Sequence, residues 1–196
     1  MKYARIIDDN VVETIDLDDN IESRVVNGGL MLRPLVYNTP PAYNVDMQTL
    51  QERYVVEPSV VTVEYDVVPL FTNVDTCKTV LGGLINMWRD EALRTDVLAH
   101  GRYWQTDRRS RELLSDAITL ATAGVPLPPV WRDATNDNMI VENLGTLVAI
   151  ATAMAEATQA VYTRSWQLKE YVENLPDAEG TIATLSNLTW DSVIPA

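Results

Sequence analysis

The chain reads as an α+β protein: a small antiparallel β-rich region followed by a helical region with one long helix. Three patterns predict this. Residues 60–68 alternate Val61, Val63, Tyr65 and Val67 with Thr62, Glu64 and Asp66, the period-two mark of a half-buried strand. Residues 142–175 contain no proline, and their only glycine, Gly145, falls in the first turn. Within them Leu147, Met154, Val161, Leu168 and Leu175 recur every seventh residue, so one stripe of a continuous helix is apolar along its length. The change of character after Pro69 divides the chain into a β-rich region, residues 1–70, and a helical region, residues 71–196.

Residues 3–7 and 11–15 are expected as a hairpin joined by Asp8-Asp9-Asn10. An acidic segment with Asp16, Asp18, Asp19 and Glu22 leads to the turn Asn27-Gly28-Gly29. Residues 32–37 form a strand pattern interrupted at Pro34, and Thr39-Pro40-Pro41 forces an extended connector. Residues 51–56 and 60–68 make a second hairpin around Glu57-Pro58-Ser59. Thr72 or Asn73 then caps a helix expected to run to about Leu98, where His100-Gly101 ends it. Residues 102–105 are a short link. Thr106 or Asp107 caps the next helix, which carries Leu113, Leu114, Ala117, Ile118 and Ala121 on one face and stops at Gly124. Trp131, the turn Asn136-Asp137-Asn138 and the apolar residues 139–141 lead into the long helix. Pro176 ends it, and residues 177–185 make one more short helix.

At about 1.5 Å per residue the long helix would extend about 50 Å. Ordering so long a backbone costs more than one apolar stripe clearly returns. It must therefore dock on the rest of its chain or on copies of itself. Its alanine-rich first half suits a helix enclosed on several sides. Arg164, Lys169, Glu170 and Glu173 suit a more exposed second half.

With 28 acidic and 15 basic residues the net charge is −13. Phosphate contacts need clustered lysine and arginine, so nucleic acid is not an expected partner, nor is an anionic membrane surface. The N-terminal residues carry no signal-peptide pattern, and the most apolar run, residues 144–155, is too short and alanine-rich for membrane insertion. One cysteine, Cys77, precludes an intrachain disulfide and suits a reducing cytoplasm.

Catalytic chemistry finds little footing. The single histidine, His100, lies at an expected helix end, as a surface residue or terminal cation. Cys77 has no base placed beside it by any motif. Asp16-x-Asp18-x-Asn20 opens like a calcium loop, but Ile21 replaces the required glycine and Asn27 the closing glutamate. No residue pattern selects a catalytic pair, a metal site or a cofactor, and the chain is not expected to be an enzyme.

One cluster stands out. Arg89, Arg94, Arg102, Arg108, Arg109 and Arg111 fall close together, offset only by Asp90, Glu91, Asp96 and Asp107. Tyr103 and Trp104 sit in their midst. Arginine beside exposed aromatic rings is the chemistry of protein interface hot spots, so Tyr103, Trp104, Arg108 and Arg109 form a candidate binding surface. The alternative is local helix pairing, Asp90 with Arg94 and Asp107 with Arg111, with Trp104 in the core. The stripe on the long helix is likewise either internal packing or a self-associating seam.

Several features occur in a suggestive order: Trp88-Arg89-Asp90-Glu91 in a helix, Gly101-Arg102-Tyr103, the helix start Thr106-Asp107, and the stop at Gly124. Trp131, Asp137-Asn138, Leu168-Lys169 and Trp190 follow. In this the segment from Trp88 to Val193 resembles an uncharacterised domain family of tailed bacteriophages, in proteins of the tail-fibre and tail-fibre-assembly region. The opening MKYARIIDDNVVETIDL is similar to the short first hairpin of such proteins, and Pro40-Pro41-Ala42-Tyr43 followed by residues 51–68 keeps their order. The resemblance implies a virion structural protein of the tail, in a tail fibre or its baseplate attachment, serving host adsorption. The chain would be made in the host cytoplasm and partnered by other tail or baseplate proteins. Fibres are usually trimers, so a homo-oligomer, with a trimer favoured, is expected. The alternative is a tail-fibre assembly chaperone absent from the mature particle. The family carries no catalytic or metal residue over to this chain.

Overall fold

Among the described residues, alternating apolar positions and well-placed turn residues build five strands early in the chain; thereafter helices and two short hairpins take over. The structure, a computed structural model, describes residues 2–8, 10–16 and 31–195, and its architecture is α+β. The acidic segment after Asp16, the turn Asn27-Gly28-Gly29 and the rest of the calcium-like run lie outside the described residues. The chain divides into two compact units: Met1–Cys77 with Ile182–Asn187, and Lys78–Thr181 with Leu188–Ala196. Sequence alone set the division at residue 70 and left residues 182–187 with the helical region.

In the first unit, β1 (Lys2–Ile7) and β2 (Asn10–Asp16) form the expected hairpin. Asp8 takes a positive φ of 49°, and the Asn10 amide side chain donates to its carbonyl at 2.9 Å. β3 (Met31–Tyr37) is one continuous strand, and the expected interruption at Pro34 is absent. Instead the strand changes partner there. Residues up to Pro34 pair antiparallel with β1, whereas Leu35 to Tyr37 pair parallel with β5 (Val61–Pro69). Proline lacks a donor N–H, and a strand that switches neighbours at that point accommodates the loss. β4 (Gln48–Val56) completes the β4–β5 hairpin at the sheet edge.

The sheet order is β2-β1-β3-β5-β4. The sheet curls until Cα atoms of its edge strands, β2 and β4, come within 8 Å of each other. Twist and curling of this kind let one small sheet enclose its own core. Ala4, Ile6, Leu35, Val61 and Val63 fill it, flanked by Val11, Val56 and Tyr65.

The unit boundary falls inside α1 (Val74–Ala92), after Cys77. Asn73 caps this helix, its Oδ1 accepting from the Thr76 N–H at 2.9 Å. The helix ends well before Leu98. There Val97–Ala99 is β6, paired with β7 (Arg102–Trp104), and His100-Gly101 is their turn, with φ of 51° and 70°. Two consecutive positive φ values match the turn that joins right-twisted strands. The Thr106 hydroxyl donates to the carbonyl of Leu93 at 2.9 Å, which fixes the helix exit.

α2 (Arg108–Thr122) is capped by Asp107, whose carboxylate accepts from Ser110 N at 3.1 Å, and the chain leaves it through Gly124 at φ 91°. A second short hairpin, β8 (Val130–Arg132) with β9 (Asn138–Ile140), forms where a turn and an apolar run were expected. α3 (Leu144–Asn174) follows, with Asn143 as its cap. A Cβ at Gly145 would meet Asn143 Oδ1 at 2.9 Å, so this glycine serves the cap. α4 (Thr181–Ser186) is the last helix.

The second unit's core joins Trp104, Leu114, Val141, Leu147, Ile150 and Met154. Of the heptad stripe, Leu147, Met154 and Leu168 are buried, while Val161 and Leu175 are half-buried, and Leu175 lies just past the last helical residue. The expectation of a buried first half and an exposed second half does not hold. Leu147, Ile150 and Met154 are buried in one half, and Ser165, Leu168 and Val172 in the other. Small residues such as Ala149, Thr152 and Ala155 stay exposed because they need little cover. In the second half, α1 reaches across: Lys169 Nζ donates to Asn86 Oδ1 at 2.7 Å, and Lys78 Nζ to the carbonyls of Glu173 and Leu175 at 2.9 and 2.7 Å.

By length and composition α3 is apolar enough to cross a membrane, with a mean hydropathy of 1.3 over its most apolar window. This corrects the reading based on residues 144–155 alone. Of that window 17% is buried within the chain, where Leu147, Ile150 and Met154 pack in one cluster with Trp104 and Leu114.

Candidate interaction surface at the paired hairpins

Strand periodicity decides which residues of the arginine-rich stretch face outward. In β6–β7, Leu98 stands opposite Tyr103, and both are exposed, at 59% and 57%. Trp104, one position on, turns inward and is 1% exposed, its indole N–H donating to the Ala99 carbonyl at 2.8 Å. Trp104 is therefore a core residue and leaves the candidate binding set. In β8–β9 the same alternation leaves Val130 and Ile140 paired on the outside, while Trp131 and Met139 pack on the core.

The two hairpins are held together. Ala134 N donates to the Tyr103 carbonyl at 2.8 Å, and Arg102 Nη1 donates to Asp133 Oδ2 at 2.6 Å. Asp133 is the hub. Its other oxygen accepts from the Thr135 hydroxyl at 2.7 Å, from Thr135 N at 3.0 Å and from Asp137 N at 2.9 Å. The Thr135 hydroxyl, then the Arg102 guanidinium and the backbone N–H groups, outweigh desolvation and hold this carboxyl at a pKa of about 2. Sequence reasoning passed over Asp133. The signal was Asp133-x-Thr135-x-Asp137, an aspartate followed by the residues whose N–H groups it caps.

Arg108 and Arg109 project from the first turn of α2, both exposed. Arg108 pairs with Glu112 at 2.6 Å. Arg109 has no side-chain hydrogen bond or ion pair among the described residues. No acidic residue sits in that turn, so positive charge faces the positive end of the helix dipole at a small cost in stability. The expected local pairs differ from those formed. Arg94 bonds Glu91 and Asp90 bonds Arg89, while Asp107 serves the cap through Ser110. The Ser110 hydroxyl and N–H pull the Asp107 carboxyl below its usual range.

A cavity of about 330 Å³ adjoins the hairpins, walled by Leu113, Val130 and Trp131 above the buried Trp104 and Met154. His100 is an exposed turn residue, Cys77 is buried, and burial pushes its thiol up. Among the described residues no group of three or more His, Cys, Asp or Glu side chains is arranged to hold a metal.

Residues 78–185, more than half of the chain, match the family described as Domain of unknown function (DUF4376). The chain belongs to this family. No curated protein and no solved structure matches it. The DUF4376 region begins within α1 and takes in both hairpins, α2, α3 and most of α4. Tyr103, Arg108, Arg109 and the Asp133 hub all lie inside it.

Proposed function

We propose that this chain is a structural protein of a bacteriophage tail, part of a tail fibre or its baseplate attachment, serving host adsorption. It does so by holding neighbouring tail proteins rather than by transforming a substrate, and it uses no metal or cofactor. The observation that carries the reading is the hairpin surface. The apolar pairs Leu98–Tyr103 and Val130–Ile140 stand outward on strands tied together by Arg102 and Asp133, beside the exposed Arg108 and Arg109. Rigid aromatic and apolar anchors rimmed by arginine suit a docking surface, because little entropy is lost on binding.

The family resemblance supports the phage assignment. Its marker residues fall at junctions of the fold: Gly101 in the first hairpin turn, Asp107 at a cap, Gly124 at a helix stop and Trp131 in the second hairpin. Self-association, with a trimer favoured, would cover exposed apolar positions of α3 such as Val148 and Trp166, 42% and 57% exposed. The protein acts in the virion after synthesis in the host cytoplasm, with neither nucleic acid nor inserted membrane as partner.

Mass spectrometry of purified particles of the phage encoding the chain tests this. Detection at a fixed stoichiometry is expected. Consistent absence from particles would overturn it in favour of an assembly chaperone.

A further inference from the structure

Within the second unit, the last turns of α3 and the segment after α4 enclose a groove of about 930 Å³, which falls in the size range of ligand sites. Arg164 ties its two walls together. Its Nε and Nη2 donate to the Trp190 carbonyl at 2.9 and 2.8 Å, and Nη2 also reaches the Ser192 carbonyl. A turn from Thr189 to Ser192 stiffens the same segment, with Ser192 N donating to the Thr189 carbonyl at 3.2 Å.

From α3, Gln167, Glu170 and Asn174 line the groove, spaced so that they share one face. All three are exposed and have no side-chain hydrogen bond or ion pair among the described residues. The half-buried rings of Tyr171 and Trp190 line it as well.

We infer that this groove binds a neutral saccharide. Sugar rings present polarised C–H groups, which favour the electron-rich face of an aromatic ring, and Tyr171 and Trp190 place aromatic rings on the groove wall. Sugar hydroxyls both donate and accept, as do the amides of Gln167 and Asn174, while Glu170 accepts. The charge of the groove disfavours phosphate ligands. Among the described residues lining it, Arg164 is the one cation and is spent on backbone carbonyls, while Glu170 and Asp191 add two carboxylates. The inference stands apart from the tail assignment, since it concerns other residues and another readout.

The test is titration of the full chain with maltotriose, cellotriose and chitotriose by ligand-observed NMR, with spermidine as a cationic probe. At least one trisaccharide is expected to bind saturably and independently of salt. Gln167→Ala and Asn174→Ala, both at exposed positions, are expected to weaken it at least fivefold with unchanged thermal unfolding. No saturable trisaccharide binding, binding unaltered in both variants, or binding of spermidine alone would overturn the inference.

Discussion

Arg102 Nη1 donates to Asp133 Oδ2 at 2.6 Å, a bond that ties one short hairpin to the other across 31 residues of sequence. A hairpin with strands of three residues is marginal alone. Two of them, joined by this pair and by the Ala134–Tyr103 backbone bond and seated on Trp104 and Trp131, form a single firm platform.

The pair makes stability depend on acid in a defined direction. Asp133 titrates near 2 in the folded chain, below the ordinary aspartate value of 3.8, so the native state binds this proton less readily than the unfolded chain. Its contribution is therefore complete above about pH 4 and is lost as pH falls toward 2. Urea midpoints for Asp133→Asn are expected to lie below wild type at pH 6, and the gap should narrow as pH falls from about 4 toward 2.

Packing of α3 on its own chain sets the cost of trimming its stripe. Leu147 and Leu168 are 0% exposed, whereas Val161 is half-buried. Leu147→Ala and Leu168→Ala should each cost about 2–5 kcal/mol, and Val161→Ala less than half of that. Thermal unfolding of the three variants checks the order, each kcal/mol moving Tm by about 2–4 °C at this size. Met154→Asp, which buries an unpaired charge in the core cluster, should cost several kcal/mol.

The hairpin turn is sensitive at one residue. Gly101 has φ 70° with open space around its Cβ position, so only backbone strain opposes substitution there. Gly101→Ala should lose about 1–2 kcal/mol. His100→Asn, which suits positive φ better, should be neutral or slightly stabilising in the same unfolding assay.

Cys77 is 0% exposed, and burial raises its thiol pKa. Alkylation by iodoacetamide at pH 7.5 should be slow in the folded chain and become fast in urea concentrations that unfold it.

Local patterns were legible wherever a residue's neighbours in sequence decided its conformation. The alternation from Val61 to Tyr65, the caps Asn73 and Asp107, and the stop at Gly124 are of this kind, whereas the cap Asn143 went unread because the long helix was started at residue 142. Pro34 misled because whether proline breaks a strand depends on the partner strand, and here β3 changes partner at that point. The α1 end misled because Val97 and Ala99 fit a helix as well as a strand by spacing alone. Only pairing with Trp104 and Arg102 settles them as strand. The platform itself was half visible. Tyr103, Arg108 and Arg109 could be named from composition, but Trp104 points inward through pairing, and Asp133 gains its role from a partner 31 residues away.

The most direct measurement is incorporation of a surface variant into particles. Tyr103→Ala with Arg109→Glu alters two exposed side chains and should leave thermal unfolding of the isolated chain at or slightly above the wild-type temperature, because Arg109→Glu relieves the unfavourable charge at the start of α2. Quantitative mass spectrometry of particles assembled with this variant is expected to show its copy number reduced at least tenfold relative to wild type. Incorporation at the wild-type copy number would contradict the role assigned to the paired hairpins, and absence of the wild-type chain itself from particles would contradict the tail assignment.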